Sequence, residues 1–235
     1  SAFAQDDTDE FMLEEITVTA AKRSENQQKV SIAMETITSE QMKNTGMDNL
    51  DEILNNVSNV IINKAQDGLR VTIRGMGDIA ESQHGMAVSM PTVAVNMDGV
   101  YSNRKDQGSG LFDMERVEVL FGPQSTLYAS NSPGGIVNVV TANPKLDKYA
   151  ASGTLEVGNF DLLHTEGSLN APINDTMALR AAFTTSVRDG YLSNGGDNED
   201  TKAARLRVLY EPADTLTFVV TGEISKTSTQ RSGGV

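Results

Sequence analysis

The sequence predicts two architectures in tandem: an α+β domain with a small mixed sheet, then the first antiparallel strands of a transmembrane β-barrel left incomplete. Three observations predict this. Helix and strand signals interleave from about residue 30 to 147, the pattern of a small α+β domain. From Ala151 the rhythm changes to strict alternation with no helix signal. The connections between the alternating segments are tight at one end and long and polar at the other, as in outer-membrane barrels.

Residues 1–29 lack any core-building periodicity and read as a flexible segment. Ser1-Ala2-Phe3-Ala4-Gln5 is similar to the end of a secretory signal with an A-x-A cleavage site. One island interrupts the polar run, Glu15-Ile16-Thr17-Val18-Thr19-Ala20, whose β-branched residues favour an extended backbone. Such a stretch can add a strand to the sheet edge of another protein, or serve as an edge strand of its own fold; the residues alone leave both open.

Compact structure is predicted from about Val30. Thr38 with Gln41 makes a capping box, and Gly46 closes the short helix that follows. Asp48 caps a second helix in which Leu50, Ile53, Leu54 and Val57 share one apolar face. Strands are predicted at 60–62, around Val71 and Ile73, from Val93 to the Asp98-Gly99 turn, around Val117 and Val119 before Gly122-Pro123, and at 136–140. Two long polar loops, 77–91 and 101–113, are the segments most suited to binding. Five alternating strands follow within 148–226, and residues 227–235 begin a further loop. Their apolar faces oppose Arg180, Arg188, Arg205 and Arg207, which points to a hydrated lumen rather than a soluble core. Tyr149, Phe160, Tyr191 and Tyr210 lie near strand ends, where interfacial girdles sit.

Composition narrows the function. A net charge of −13 excludes a nucleic-acid surface, which needs clustered Lys and Arg. The absence of cysteine excludes a disulfide scaffold and thiolate metal sites. No run of 18 apolar residues exists, which excludes a membrane-spanning helix but not a barrel. Arg74-Gly75-Met76-Gly77 lacks the third glycine of a dinucleotide fingerprint, and Ser125 and Ser132 lack a nucleophile elbow. No catalytic residue, metal site or cofactor is therefore expected, and His84 has no second ligand at metal spacing.

Residues 15–144 resemble the TonB-dependent outer-membrane receptor family. The 15–20 island is similar to the TonB box. Val71-Thr72-Ile73-Arg74-Gly75 and Val95-Asn96-Met97-Asp98-Gly99-Val100-Tyr101 resemble two family segments. The strongest likeness is Met114-Glu115-Arg116-Val117-Glu118-Val119-Leu120-Phe121-Gly122-Pro123, followed by Gly134-Gly135-Ile136-Val137-Asn138. Together these resemble the family's plug, here residues 30–147.

The resemblance implies a monomeric receptor in the outer membrane of a Gram-negative bacterium, with its N-terminus facing the periplasm. It implies two further partners besides outer-membrane lipid: the TonB protein, bound through Glu15, Ile16, Thr17, Val18, Thr19 and Ala20, and a bulky solute. A ferric siderophore is the expected cargo, with oligosaccharide or cobalamin as alternatives and a passive porin-like or structural barrel protein as the competing class. It also makes Arg74 a plug–barrel anchor, although Phe121 stands where most members carry a second arginine. Family barrels close with 22 strands, so the five strands read as part of a larger wall. Candidate ligand contacts are Gln83, His84 and Met86 in the first loop, and Tyr101, Asn103, Arg104, Lys105 and Gln107 in the second; Arg104 and Lys105 suit an anionic ligand.

Overall fold

The computed structural model describes residues 17–18, 25–26, 33–47, 50–65, 68–77, 79–83, 86–102, 111–123, 132–190, 198–213 and 215–228. Near the N-terminus, β1 (Thr17–Val18) pairs antiparallel with β2 (Glu25–Asn26). The plug then runs through β3 (Met34–Thr38), α1 (Ser39–Thr45), α2 (Leu50–Asn55), β4 (Val60–Ala65), β5 (Gly68–Ile73), β6 (Ile79–Gln83), β7 (Met86–Met90), β8 (Val93–Met97), β9 (Val100–Tyr101), β10 (Met114–Phe121) and β11 (Gly135–Thr141). Its central sheet has the order β3-β10-β11-β8-β9, and β8 beside β11 is the parallel pair that makes the sheet mixed.

The helix signals translate directly into structure. Thr38 Oγ1 accepts from the Gln41 amide, and Gln41 Oε1 accepts from the Thr38 amide at 2.9 Å, so each end of the box satisfies an orphan donor. Gly46 closes α1 at φ 65°, in the left-handed region. On α2, Leu50, Ile53 and Leu54 are buried, and Val57 just beyond joins them against Ile37, Val71, Ile73, Val117 and Val139. The mixed sheet therefore carries the helices on one face. Within it, Glu118 on β10 is wholly buried, and its carboxylate accepts from Arg116 Nε at 2.8 Å and Asn138 Nδ2 at 3.0 Å. Both donors offset the cost of holding a carboxylate away from water.

Gly135 opens β11 at φ 144°, and a Cβ there would lie 2.3 Å from the Leu120 carbonyl oxygen. Gly135→Ala should therefore cost at least about 1–3 kcal/mol in backbone strain alone. Lost hydrogen-exchange protection across β10 and β11 in the complete receptor is the expected readout.

Two features depart from the sequence reading. The segment expected as a long polar loop at 77–91 is a hairpin, β6 paired antiparallel with β7 and two residues between Gln83 and Met86. Met86, Val88 and Met90 alternate with Ala87 and Ser89, a period of two that the surrounding polar residues obscured. The edge strand β3 was also not anticipated. It contributes only Ile37 as a strongly apolar buried residue and is held by its five-residue register with β10.

The second unit is one antiparallel sheet in sequential order: β12 (Ala150–Gly158), β13 (Leu162–Asn174), β14 (Met177–Arg188), β15 (Glu199–Ala213) and β16 (Leu216–Ser228). Register places Gly153, Gly167, Phe183, Ala204 and Ile224 in one row across all five strands. This face exposes Leu155, Leu163, Leu169, Phe183, Leu206, Val220 and Ile224, an apolar surface suited to lipid. Two residues join β13 to β14 and two join β15 to β16, at one rim. At the other rim residues 189–198 make a long connection, but β12 and β13 are joined by only 159–161. The Asp189 amide donates to the Phe160 carbonyl at 2.8 Å, which sets both connections at that rim. Long loops there are thus not uniform, because Phe160 and Asp161 adopt left-handed backbones that allow a tight reversal. Tyr149, Phe160 and Tyr210 are exposed near strand ends, while Tyr191 lies outside the described residues.

Candidate functional site

The alternation that turns apolar side chains outward on β14 and β15 turns Arg180, Arg205 and Arg207 inward. These arginines do not face a water-filled lumen, as their spacing suggested; the plug covers them. Arg205 and Arg207 are each 4% exposed.

Among the described residues, three contacts fasten the plug. In the first, Arg180 grips Asp113 with two guanidinium donors, Nε to Oδ2 at 2.6 Å and Nη2 to Oδ1. Such a fork is the strongest common carboxylate contact. Asp113 adopts a left-handed backbone just before β10; its amide donates to Glu166 Oε1 on β13 at 2.9 Å, and its carbonyl accepts from the Ala142 amide at 2.9 Å. In the second, Phe112 is 1% exposed and packs with Ala182 and Ala203 on the wall. The Arg205 guanidinium lies 4.3 Å from its ring centroid, and Nη1 donates to the Phe112 carbonyl at 2.9 Å. Glu223 on β16 holds the far side of Arg205 at 2.8 Å.

The third contact is centred on Asp98. The Asp98-Gly99 turn has positive φ at both residues (49° and 79°), as a tight hairpin turn requires. That geometry lets the Asp98 carboxylate accept from the Thr141 amide at 2.9 Å and hydroxyl at 2.8 Å, tying the ends of β8 and β11 together. Arg207 Nη2 then pairs with Asp98 Oδ2, while Nη1 donates to the Thr141 carbonyl and to Asn143 Oδ1, both at 3.1 Å. Beyond β11, Asn170 on the wall holds the connecting segment: it accepts from the Lys145 amide at 2.8 Å and donates to the Lys148 carbonyl at 2.7 Å.

In the two ionic contacts the arginines belong to the wall and the aspartates to the plug. Sequence reasoning noticed the arginines and missed Asp98, Phe112, Asp113, Glu166 and Asn170. A usable signal existed, since unpaired inward arginines on neighbouring strands require acidic partners somewhere in the chain.

Arg74, the residue singled out as an anchor, sits at φ 51° with its guanidinium 4.7 Å from the ring centroid of Phe121, so its described contact lies within the plug. Phe121 thus offers a cation–π face where an arginine would have placed a second positive charge beside Arg74.

The other predicted residues are scattered. Gln83 ends β6, Met86 begins β7, and Tyr101 ends β9 with 47% of its surface exposed. His84, Asn103, Arg104, Lys105 and Gln107 lie outside the described residues. Of the 15–20 segment, Thr17 and Val18 pair with Asn26 and Glu25 of the same chain; Glu15, Ile16, Thr19 and Ala20 lie outside the described residues.

A folded domain fastened by arginines to the inner face of a wall whose outer face is apolar defines a plugged outer-membrane β-barrel. The chain carries the plug of such a receptor: the TonB-dependent Receptor Plug Domain profile matches residues 26–136. It is 28% identical over 207 residues to the iron-regulated outer membrane virulence protein of Vibrio cholerae serotype O1, covering 80% of this chain and 30% of that protein. Among solved structures it resembles the ferric yersiniabactin uptake receptor FyuA of Yersinia pestis, with TM-score 0.67 and 21% identity over 83% of this chain and 32% of that one. It also resembles the pyoverdine receptor FpvA of Pseudomonas aeruginosa bound to pyoverdine, with TM-score 0.73 and 16% identity over 90% of this chain and 30% of that one. The chain therefore spans about a third or less of the length of these relatives. The family places it in the outer membrane and comprises receptors rather than enzymes.

Proposed function

We propose that this protein takes part in energised uptake of a ferric siderophore across the outer membrane, as the plug and first wall strands of a TonB-dependent transporter. The observation that carries this reading is the plug's attachment, held to the wall by ionic and hydrogen-bonded contacts that can break and re-form. A permanently open pore has no use for a folded domain on its inner face. The iron-linked names of the Vibrio and Yersinia relatives support iron as the cargo metal. In this reading TonB adds a strand along Glu15, Ile16, Thr17, Val18, Thr19 and Ala20, and the β1–β2 pairing gives way to it. Gln83, His84, Met86, Tyr101, Asn103, Arg104, Lys105 and Gln107 are the proposed ligand contacts, and Arg74 is a proposed anchor towards another part of the barrel.

The test is uptake of radiolabelled ferric chelates by iron-starved cells that depend on the complete receptor. Uptake that requires both the receptor and TonB is expected. Uptake persisting in cells without TonB would indicate a passive pore, and no uptake of any ferric chelate would remove iron as the cargo.

A further inference from the structure

We infer that the outward face of the wall carries a lipid site: a groove between β14, β15 and β16 that takes an acyl chain below and a phosphate-bearing headgroup above. The groove has a volume of about 300 Å³ and is lined on its outer side by Phe183, Thr185, Lys202, Ala204, Ile224 and Lys226. Phe183 and Ile224 form its sides, and Ala204, which lies between them in the cross-strand register, forms its floor. One register step further, Lys202 stands directly opposite Lys226, with Thr185 beside them.

Two like charges facing each other across a sheet repel. Snorkelling gives a single lysine a route from lipid to water, but it gives no reason for two to be directly opposed. Lys202 lies 3.4 Å from Asp200, whereas Lys226 has no ion pair among the described residues, so the pair carries surplus positive charge. An anion between the two ammonium groups removes the repulsion.

Height on the wall selects the anion's source. Lys202 is eight residues along β15 from Tyr210, whose ring stacks on Phe218 at 6.3 Å near the tight-turn rim. Eight residues of tilted strand rise roughly 20 Å, close to the height of a barrel's apolar band. The aromatic pair therefore marks one membrane interface and the lysine pair the other, at the rim with the long connection. Tight turns face the periplasm in such barrels, so the lysines lie at the outer leaflet. The occupant is the phosphorylated, multiply acylated glycolipid of that leaflet. This inference rests on the outer-membrane location and not on the transport reading.

The experiment uses the complete receptor purified in detergent, with lipid A carrying both phosphates as the probe and native mass spectrometry as the readout. Wild-type receptor is expected to retain the lipid, and Lys202→Gln with Lys226→Gln to bind it about tenfold more weakly, or about 1.4 kcal/mol. Dephosphorylated lipid A should bind both proteins equally, and inorganic phosphate should not compete, which separates the headgroup from a free anion. Ala204→Leu, which fills the floor and leaves the charges, should also weaken retention. Heat-modifiable gel migration checks that each variant is folded. Equal retention of the phosphorylated lipid by wild type and the lysine variant would overturn the proposal. So would a stable dimer that buries this face and is indifferent to added lipid.

Discussion

Arg207→Ala is expected to loosen the plug from the wall by about 3–5 kcal/mol, the usual cost of removing one partner from a buried charged network. One guanidinium serves Asp98, the Thr141 carbonyl and Asn143, and its side chain is 5% exposed. Its loss leaves three acceptors facing an alanine. Asp98 retains its two bonds from Thr141 and is 32% exposed, so water recovers part of the loss and the lower end of the range applies. Arg207→Lys keeps the charge but not the planar fork, and should fall between wild type and alanine. The measurement is hydrogen exchange over 93–102 and 135–143 in the complete receptor, together with channel conductance in a lipid bilayer. Both should rise in the variant. Exchange identical to wild type would show that this corner contributes nothing to docking.

Ile16→Pro has the largest expected functional effect: loss of energised uptake with a normal amount of receptor at the surface. Strand addition joins two chains through backbone hydrogen bonds, and proline lacks the amide hydrogen that one of them needs. Its ring also fixes φ near −65°, away from the extended values that a strand requires. Ile16→Val keeps both the amide and the β-branched shape, and should transport normally. The pair separates a backbone requirement from a general intolerance of change at this position. Ligand binding should survive in Ile16→Pro, because the plug core begins well after the substitution. If uptake persists in that variant, the segment at 15–20 is not the coupling peptide.

Legibility differed from element to element. The Thr38–Gln41 capping box, the Gly46 cap and the apolar face of α2 were readable because each is a local device spanning at most one or two helical turns. The five wall strands were readable because a sheet with one lipid face and one covered face imposes strict alternation. The β6–β7 hairpin was missed because its period was masked by polar residues. β3 was missed because an edge strand can be held by its neighbour's backbone with little apolar signal of its own.

Residue spacing along the chain was enough to read a plug followed by outer-membrane strands and to mark which wall residues point inward, since period two sets the face and motif order sets the family likeness. What the inward arginines hold is visible only once the two units are docked. Arg180 meets Asp113 across 67 residues of chain and Arg207 meets Asp98 across 109. A charge's partner at that separation depends on how two folded units dock, and no spacing rule along the chain carries that information.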